Sequence, residues 1–103
     1  MLYFYKVYFI IIGNDIAMDK QSLFYYHKNA EVDFCIPEAE LAIQVSYSID
    51  DIDTYEREAG GLAKFLKTYK NYRGIIVTWD TERTITEAGT TIEVMPAWKW
   101  LLT

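Results

Sequence analysis

The sequence predicts an α/β domain built from a mixed β-sheet and one main helix. Several short segments alternate polar with apolar residues, or run apolar between turn signals, as β-strands do. One longer stretch, at about residues 50–69, instead repeats its apolar residues at helical spacing. An apolar run at residues 75–79 follows this helix, and a strand after a helix is typical of a crossover between parallel strands.

The length and composition indicate a single domain over residues 1–103. Hydrophobic residues make up 51% of the chain and aromatic residues 17%, which excludes a disordered tail. The one cysteine, Cys35, excludes an intramolecular disulfide and a zinc-ligand spacing, and it fits a reducing, cytoplasmic setting. The net charge of −5 disfavours a protein whose main work is to hold a phosphate backbone.

Residues 1–12 are strongly apolar, and their composition leaves strand and buried helix open as alternatives. The segment lacks the charged start and the cleavage site of a signal peptide, and it is too short to cross a bilayer. We therefore expect no membrane, and we place this segment in the core or at an interface between copies.

Three strands are predicted before the helix. Residues 22–27 form a short aromatic strand, and residues 31–36 alternate acidic with apolar side chains until Pro37 ends them, so the two segments predict a hairpin. Residues 41–47 form the next strand. Its side chains alternate between two faces, with Leu41, Ile43, Val45 and Tyr47 on one and Ala42, Gln44 and Ser46 on the other.

The main helix begins among acidic residues, which favour helix N-termini, and its apolar face comprises Ala59, Leu62, Phe65, Leu66 and Tyr69. Gly60 and Gly61 lie inside it, where two glycines cost about 2 kcal/mol of helix propensity, so we expect them to allow close packing on the sheet. Residues 75–79 predict a central strand covered on both faces. Residues 82–86 and 91–95 predict a hairpin, and a closing helical turn is expected to start at Pro96.

Two side chains on adjacent strands fit the ligand positions of a metal-dependent phosphodiesterase of the restriction-endonuclease-like type. Such a site needs an Asp at the end of one strand and, on the next, a Glu or Gln two residues before a Lys. Carboxylate oxygens hold Mg²⁺, and the lysine positions the attacking water. Asp33 and Gln44 take the two ligand positions, with Glu31 as a weak further ligand on the face of Asp33.

Ser46 stands where this pattern has the lysine, so the catalytic set Asp33, Gln44 and Ser46 is degenerate. A serine hydroxyl carries no charge at neutral pH, and Gln44 offers a neutral carbonyl in place of a carboxylate. The expected cofactor is therefore none, or weakly bound Mg²⁺ or Mn²⁺. The alternative for Glu31 and Asp33 is a solvated strand face without a metal.

Other reactive or aromatic residues have ordinary structural explanations. His27 on its aromatic strand is expected to pack or to face solvent, and Cys35 to be a buried, inert thiol. Trp79 is expected to plug a strand end, followed by a turn aspartate. Trp98 and Trp100 are expected to cover an open end of the sheet, or to form a docking surface if they are exposed.

Five segments together resemble one known family: EVDF, IQVSYS, DTYEREAGGLAKFL, GIIVTWD and VMPAWKWLL. Over about residues 22–102 the chain is similar to the C-terminal domain of a large prokaryotic family of AAA+ ATPases, a domain of unknown function assigned to the PD-(D/E)XK nuclease-like superfamily. The resemblance implies a restriction-endonuclease-like core. In that family the segment equivalent to residues 43–48 reads either as a nuclease-like E-V-K or as a degenerate Q-V-C/S, and this chain is of the second kind. The family's helix with an early Glu-Asn has no counterpart in residues 1–20, which leaves the third acidic ligand and an N-terminal truncation open.

The resemblance implies a catalytically degenerate nuclease-like domain that acts as an interaction or regulatory module of an AAA+ ATPase system. The chain has no G-x-x-x-x-G-K-S/T loop, so an ATPase domain would be a partner or a separate part. One alternative is a metal-dependent nuclease that uses Asp33 and Gln44 with a migrated lysine, for which Lys64 is the candidate. Another is a fragment with no separate function. The expected partners are an ATPase domain or a second copy, and the acidic charge disfavours nucleic acid.

Overall fold

The computed structural model of the chain describes residues 24–26 and 32–102. Their order is β1 (Phe24–Tyr26), β2 (Val32–Ile36), β3 (Leu41–Val45), α1 (Ile52–Thr68), β4 (Arg73–Thr78), β5 (Arg83–Glu87), β6 (Thr90–Pro96) and α2 (Ala97–Leu102). A short 3-10 helix, Pro37–Ala39, joins β2 to β3. Residues 1–12 and both predicted N-terminal boundaries, at residues 1 and 22, lie outside the described residues.

The six described strands form one mixed sheet in the order β1-β2-β3-β4-β6-β5. β1, β2 and β3 pair antiparallel, β3, β4 and β6 run parallel, and β5 returns antiparallel along β6. α1 connects the parallel neighbours β3 and β4. The predicted fold class, a mixed sheet with one main helix, is therefore confirmed, as is the position of that helix.

α1 begins at a cap that the sequence provides. The backbone of Asp51 is extended, and its carboxylate accepts a hydrogen bond from the backbone N–H of Thr54 (3.0 Å). This bond satisfies one of the N–H groups that the first helical turn leaves free. The face of α1 that packs on the sheet consists of Glu58, Ala59, Leu62, Ala63, Phe65 and Leu66.

The close approach between α1 and the sheet occurs at a glycine of β4. A Cβ atom at Gly74 would lie 2.5 Å from Cδ1 of Leu66 and 3.2 Å from Cδ2 of Leu62, so any other residue here would force these leucine side chains to shift. At Gly60, by contrast, a Cβ atom would meet no heavy atom of the described residues within 4 Å. The expectation that Gly60 allows close packing is therefore wrong, because the contact depends on the strand glycine.

Apolar side chains are buried on both faces of the sheet. Ala42 and Ile76 contribute to the core beneath α1, whereas their neighbours Ile43 and Ile75 contribute to a second core on the opposite face. Trp100 of α2 is buried in that second core. The prediction that the fourth strand is central and covered on both faces is confirmed.

Most strand ends differ from the predicted ones by one or two residues. β3 ends at Val45, so Ser46 and Tyr47 lie beyond it. Pro96 is the last residue of β6, where it pairs with Thr78, and is not the start of α2. Parallel pairing with β4 extends the strand to this proline. Within the described part of the chain, no helix is long and apolar enough to cross a bilayer.

Candidate functional site

The candidate site lies where β2 and β3 separate. Their backbone pairing ends with Phe34 opposite Ile43, and in this register Asp33 would next face Gln44. At that position, hydrogen bonds to side chains replace the backbone hydrogen bonds between the two strands. The backbone N–H of Asp33 donates to Oε1 of Gln44 (2.7 Å), and the backbone N–H of Val45 donates to Oδ2 of Asp33 (2.9 Å). The structure thus brings the two predicted ligand residues together, with these oxygens engaged by backbone amides.

Gln44 also ties β3 to α1. Its side chain is 2% exposed, and its Nε2 donates to the backbone carbonyl of Glu58 (3.3 Å). Because the oxygen of the amide bonds to β2 and the nitrogen bonds to the helix, one side chain links three elements. A carboxylate at this position would have no N–H to give to the helix.

Glu58 is a buried residue of the site that the sequence reasoning missed. It is 5% exposed, and Nε of Arg57 lies 3.5 Å from its Oε1. Its spacing was the available signal: Glu58 precedes Leu62 by one helical turn and Leu66 by two, so it belongs to the apolar stripe. We call Asp33, Gln44 and Glu58 the fork cluster.

Ser46, at the position of the missing lysine, bonds within its own loop. Its Oγ donates to the carbonyl of Ser48 (2.8 Å), and its backbone N–H donates to the carbonyl of Val77 (2.9 Å). The hydroxyl is half-buried. It therefore supplies neither the charge nor the reach of a lysine side chain.

Lys64 lies on the exposed face of α1. With 3.6 residues per turn it is about 200° around the helix from Leu62 and from Leu66, which face the sheet. The helix therefore turns Lys64 away from the fork cluster. Glu31 and His27 lie outside the described residues, and their suggested roles stay predictions.

The fork cluster does not fit a tightly held Mg²⁺ ion. Such an ion requires near-octahedral oxygen ligands that point at it, whereas one oxygen of Asp33 and the only side-chain oxygen of Gln44 each accept a backbone N–H group. Among residues 24–26 and 32–102, no three His, Cys, Asp or Glu side chains converge as a metal site would need. What the described atoms do is hold two strands and a helix together.

A stacked aromatic pair lies beside the site, beyond the carboxyl ends of β3 and β4. The rings of Tyr47 and Trp79 are nearly parallel (8°), their centroids are 6.0 Å apart, and the residues are 61% and 49% exposed. The backbone N–H of Trp79 donates to the carbonyl of Tyr47 (3.0 Å). The expected plug at Trp79 is therefore wrong, because both rings lie beyond the strand ends and are exposed at the surface.

The other aromatic and thiol predictions have mixed outcomes. Trp100 is buried, whereas Trp98 is 58% exposed, so the C-terminal helix both covers the sheet and leaves an aromatic side chain at the surface. Cys35 is buried as predicted. Burial raises the pKa of its thiol, and a hydrogen bond with Tyr72 acts in the opposite direction more weakly.

No model of a known protein family matches the chain, and no solved structure matches it. The chain is similar to an uncharacterized protein of Methanocaldococcus jannaschii, MJ1544, with 36% identity over 94 residues. The match covers 84% of this chain and 21% of the relative. The chain therefore spans about a fifth of the length of the curated relative it matches.

Proposed function

We propose that this chain is a catalytically degenerate nuclease-like domain that acts as an interaction or regulatory module of a prokaryotic AAA+ ATPase system. One observation carries the proposal: the two oxygens at the expected ligand positions accept backbone N–H groups of the opposite strand. In Gln44 the remaining amide N–H is engaged as well. The atoms that would hold an ion in a nuclease serve the fold here.

Among the described residues, the two positions expected to supply a cation do not supply one, which supports the same proposal. Phosphodiester cleavage of this type needs a positive group beside the attacking water. Position 46 offers a hydroxyl that bonds to the carbonyl of Ser48, and Lys64 faces away from the sheet. Arg57 is the cation beside the fork cluster in the described residues, and its guanidinium lies next to the Glu58 carboxylate.

Exposed aromatic surface supports the interaction role. Tyr47, Trp79 and Trp98 each expose about half of their area or more, and Ile52 at the start of α1 is exposed as well. Large exposed apolar side chains that lie together are typical of surfaces that dock another protein. The ATPase part of the proposal rests on the sequence resemblance, and a relative about four times as long is consistent with a module of a larger protein.

A cleavage assay tests the proposal directly. The chain is incubated with single-stranded and double-stranded DNA in Mg²⁺ or Mn²⁺, and we expect no turnover above the metal-only background. The variants Asp33→Ala and Asp33→Asn should behave like the wild type. Asparagine keeps an oxygen that accepts the N–H of Val45, so it separates loss of a ligand charge from loss of folding.

The opposite outcome would establish the rival function. Metal-dependent turnover by the wild type that disappears in both Asp33 variants, with the Asp33→Asn variant still folded by circular dichroism, identifies a metal-dependent nuclease. In that case a Lys64→Ala variant decides whether this lysine has any part in the reaction. The orientation of α1 predicts that it has none.

A further inference from the structure

β5 is an edge strand whose outer side is open in the described part of the chain. It is last in the sheet order and pairs with β6 alone among the described strands. The side chains of Thr84 and Thr86 are exposed. An open edge presents unpaired backbone N–H and C=O groups, and such an edge accepts a further strand.

The hairpin turn determines which backbone groups face outward. Ala88 and Gly89, both with positive φ (51° and 80°), form a two-residue loop between β5 and β6, so Glu87 and Thr90 are a hydrogen-bonded pair. Hydrogen-bonded pairs then recur at every second residue. The two threonines of β5 therefore point their N–H and C=O groups away from β6, toward the open edge.

The sequence of β5, RTITE, is complementary in charge to its own reverse. If a second copy pairs antiparallel with Ile85 opposite its own counterpart, Arg83 faces Glu87 of the second copy, twice by symmetry. In the same register Thr84 faces Thr86 of the second copy. These are the residues with outward backbone groups, so four N–H···O bonds form.

Other registers lose one of these matches. A shift of one residue aligns an outward-facing backbone with an inward-facing one, which removes the hydrogen bonds. A shift of two residues leaves one hydrogen-bonded pair within the strands, Thr84 or Thr86 opposite its own counterpart, and sets Arg83 or Glu87 against Ile85 of the second copy. The charge pairs and the alternation of inward-facing and outward-facing backbone groups therefore favour the same register.

We propose that the outer edge of β5 is a homodimerisation surface, on which two copies join their β5 strands antiparallel about Ile85 to form one continuous sheet. Both charged side chains lie on the side of β5 that faces α1. Glu87 accepts a hydrogen bond from Tyr55, and Arg83 lines an open surface pocket of about 280 Å³ together with Tyr55 and Asp50. Ile85 is half-buried against the core beneath α1. The proposal is independent of the fork cluster and of the proposed function.

One strand pair buries less surface than a stable dimer needs, so the association should be weak and should depend on concentration. Sedimentation equilibrium over a range of concentrations measures it. We expect the mass of the wild type to rise from 12.1 kDa toward twice that value. Arg83→Glu places two carboxylates opposite each other and should keep the chain monomeric, and Glu87→Arg should do the same with two cations.

Charge exchange makes the test specific. An equimolar mixture of the Arg83→Glu and Glu87→Arg chains should form dimers, because each charge then meets its opposite in the other chain. The double variant R83E/E87R should form homodimers again. Lys67→Glu, on the exposed side of α1, makes the same charge change away from the edge and should dimerise like the wild type.

Three results would overturn the proposal: a wild type that stays monomeric at every concentration, an Arg83→Glu chain that dimerises like the wild type, or a mixture and a double variant that both remain monomeric. The comparisons that use the Arg83→Glu chain, the mixture and the double variant remain decisive even if a single charge reversal lowers stability. The double variant carries the same two charges at the edge as the wild type, in exchanged positions.

Discussion

Replacing Gln44 with glutamate changes one N–H donor into a charged oxygen at nearly constant shape, and two effects lower stability. The hydrogen bond from Nε2 to the carbonyl of Glu58 is lost, which costs about 1 kcal/mol. The new carboxylate also sits at a position only 2% exposed, beside Asp33, whose carboxylate accepts the N–H of the adjacent Val45. Burial and like charge together should raise its pKa by about 2 units, or about 3 kcal/mol at neutral pH.

The expected loss, about 4 kcal/mol near neutral pH, is a large part of the 5–15 kcal/mol typical of a small domain. Its pH dependence has a definite sign. The folded-state pKa of the new carboxyl lies above its unfolded value of about 4.3, so the folded state favours the protonated form. The loss is therefore smallest below pH of about 4 and grows as the pH rises toward the folded-state pKa. The protonated carboxyl can also donate to the Glu58 carbonyl.

Urea unfolding at pH 4.5 and pH 7.5, followed by circular dichroism, measures this difference against the wild type at each pH. We expect the Gln44→Glu deficit to grow by about 2 kcal/mol or more between the two values. Gln44→Met is the control, because it removes both hydrogen bonds without adding a charge and should show a deficit that does not change with pH. A Gln44→Glu deficit equal at both pH values would refute the reasoning.

Two further predictions concern packing and alkaline stability. Gly60→Ala should stabilise α1 by about 0.5–1 kcal/mol, whereas Gly74→Ala should destabilise the protein by about 1–3 kcal/mol, because its Cβ would meet Leu66. Thermal unfolding of the two variants should shift in opposite directions, and shifts of the same sign would contradict the assigned close approach. The pKa of Tyr72 is raised to about 12, mainly by burial. The protonated phenol therefore stabilises the folded state fully below pH 10, and this stabilisation is lost as the pH rises through about 12. Tyr72→Phe should therefore flatten the fall in unfolding free energy over this range, and an unchanged slope would count against the assignment.

The strands and the main helix could be predicted because local patterns specify them. Alternation marked β2 and β3, and the acidic start with an apolar stripe marked α1. The patterns could not predict the distance between α1 and the sheet. Gly74 lies just before the predicted strand at residues 75–79, and only the position of Leu66 above it shows that a Cβ atom there would meet the helix.

The sequence could predict that Asp33 and Gln44 belong to the candidate site, but not which hydrogen bonds they form. Alternation and strand order were enough to place Asp33 near Gln44, since the two strands are neighbours. The contacts of the two side-chain oxygens depend on where the backbone pairing of β2 with β3 ends. No sequence pattern marks that point. Glu58 was missed for a simpler reason: only apolar residues were counted in the buried stripe, although helical spacing places this glutamate on it.

The geometry of the fork cluster explains why glutamine, and not glutamate, is the residue that suits position 44 without a bound ion. The carboxylate of Asp33 already lies at this junction, and the helix presents the backbone carbonyl of Glu58, which needs a donor. A further carboxylate would be tolerated only if a cation offset its charge. The amide satisfies the backbone of β2 with its oxygen and that of α1 with its nitrogen. In a variant that combines Ser46→Lys with Gln44→Glu, the added ammonium should recover part of the stability that Gln44→Glu alone loses. Addition of Mn²⁺ should also recover part of it. If neither recovers stability, the junction does not have the electrostatic character of a nuclease site.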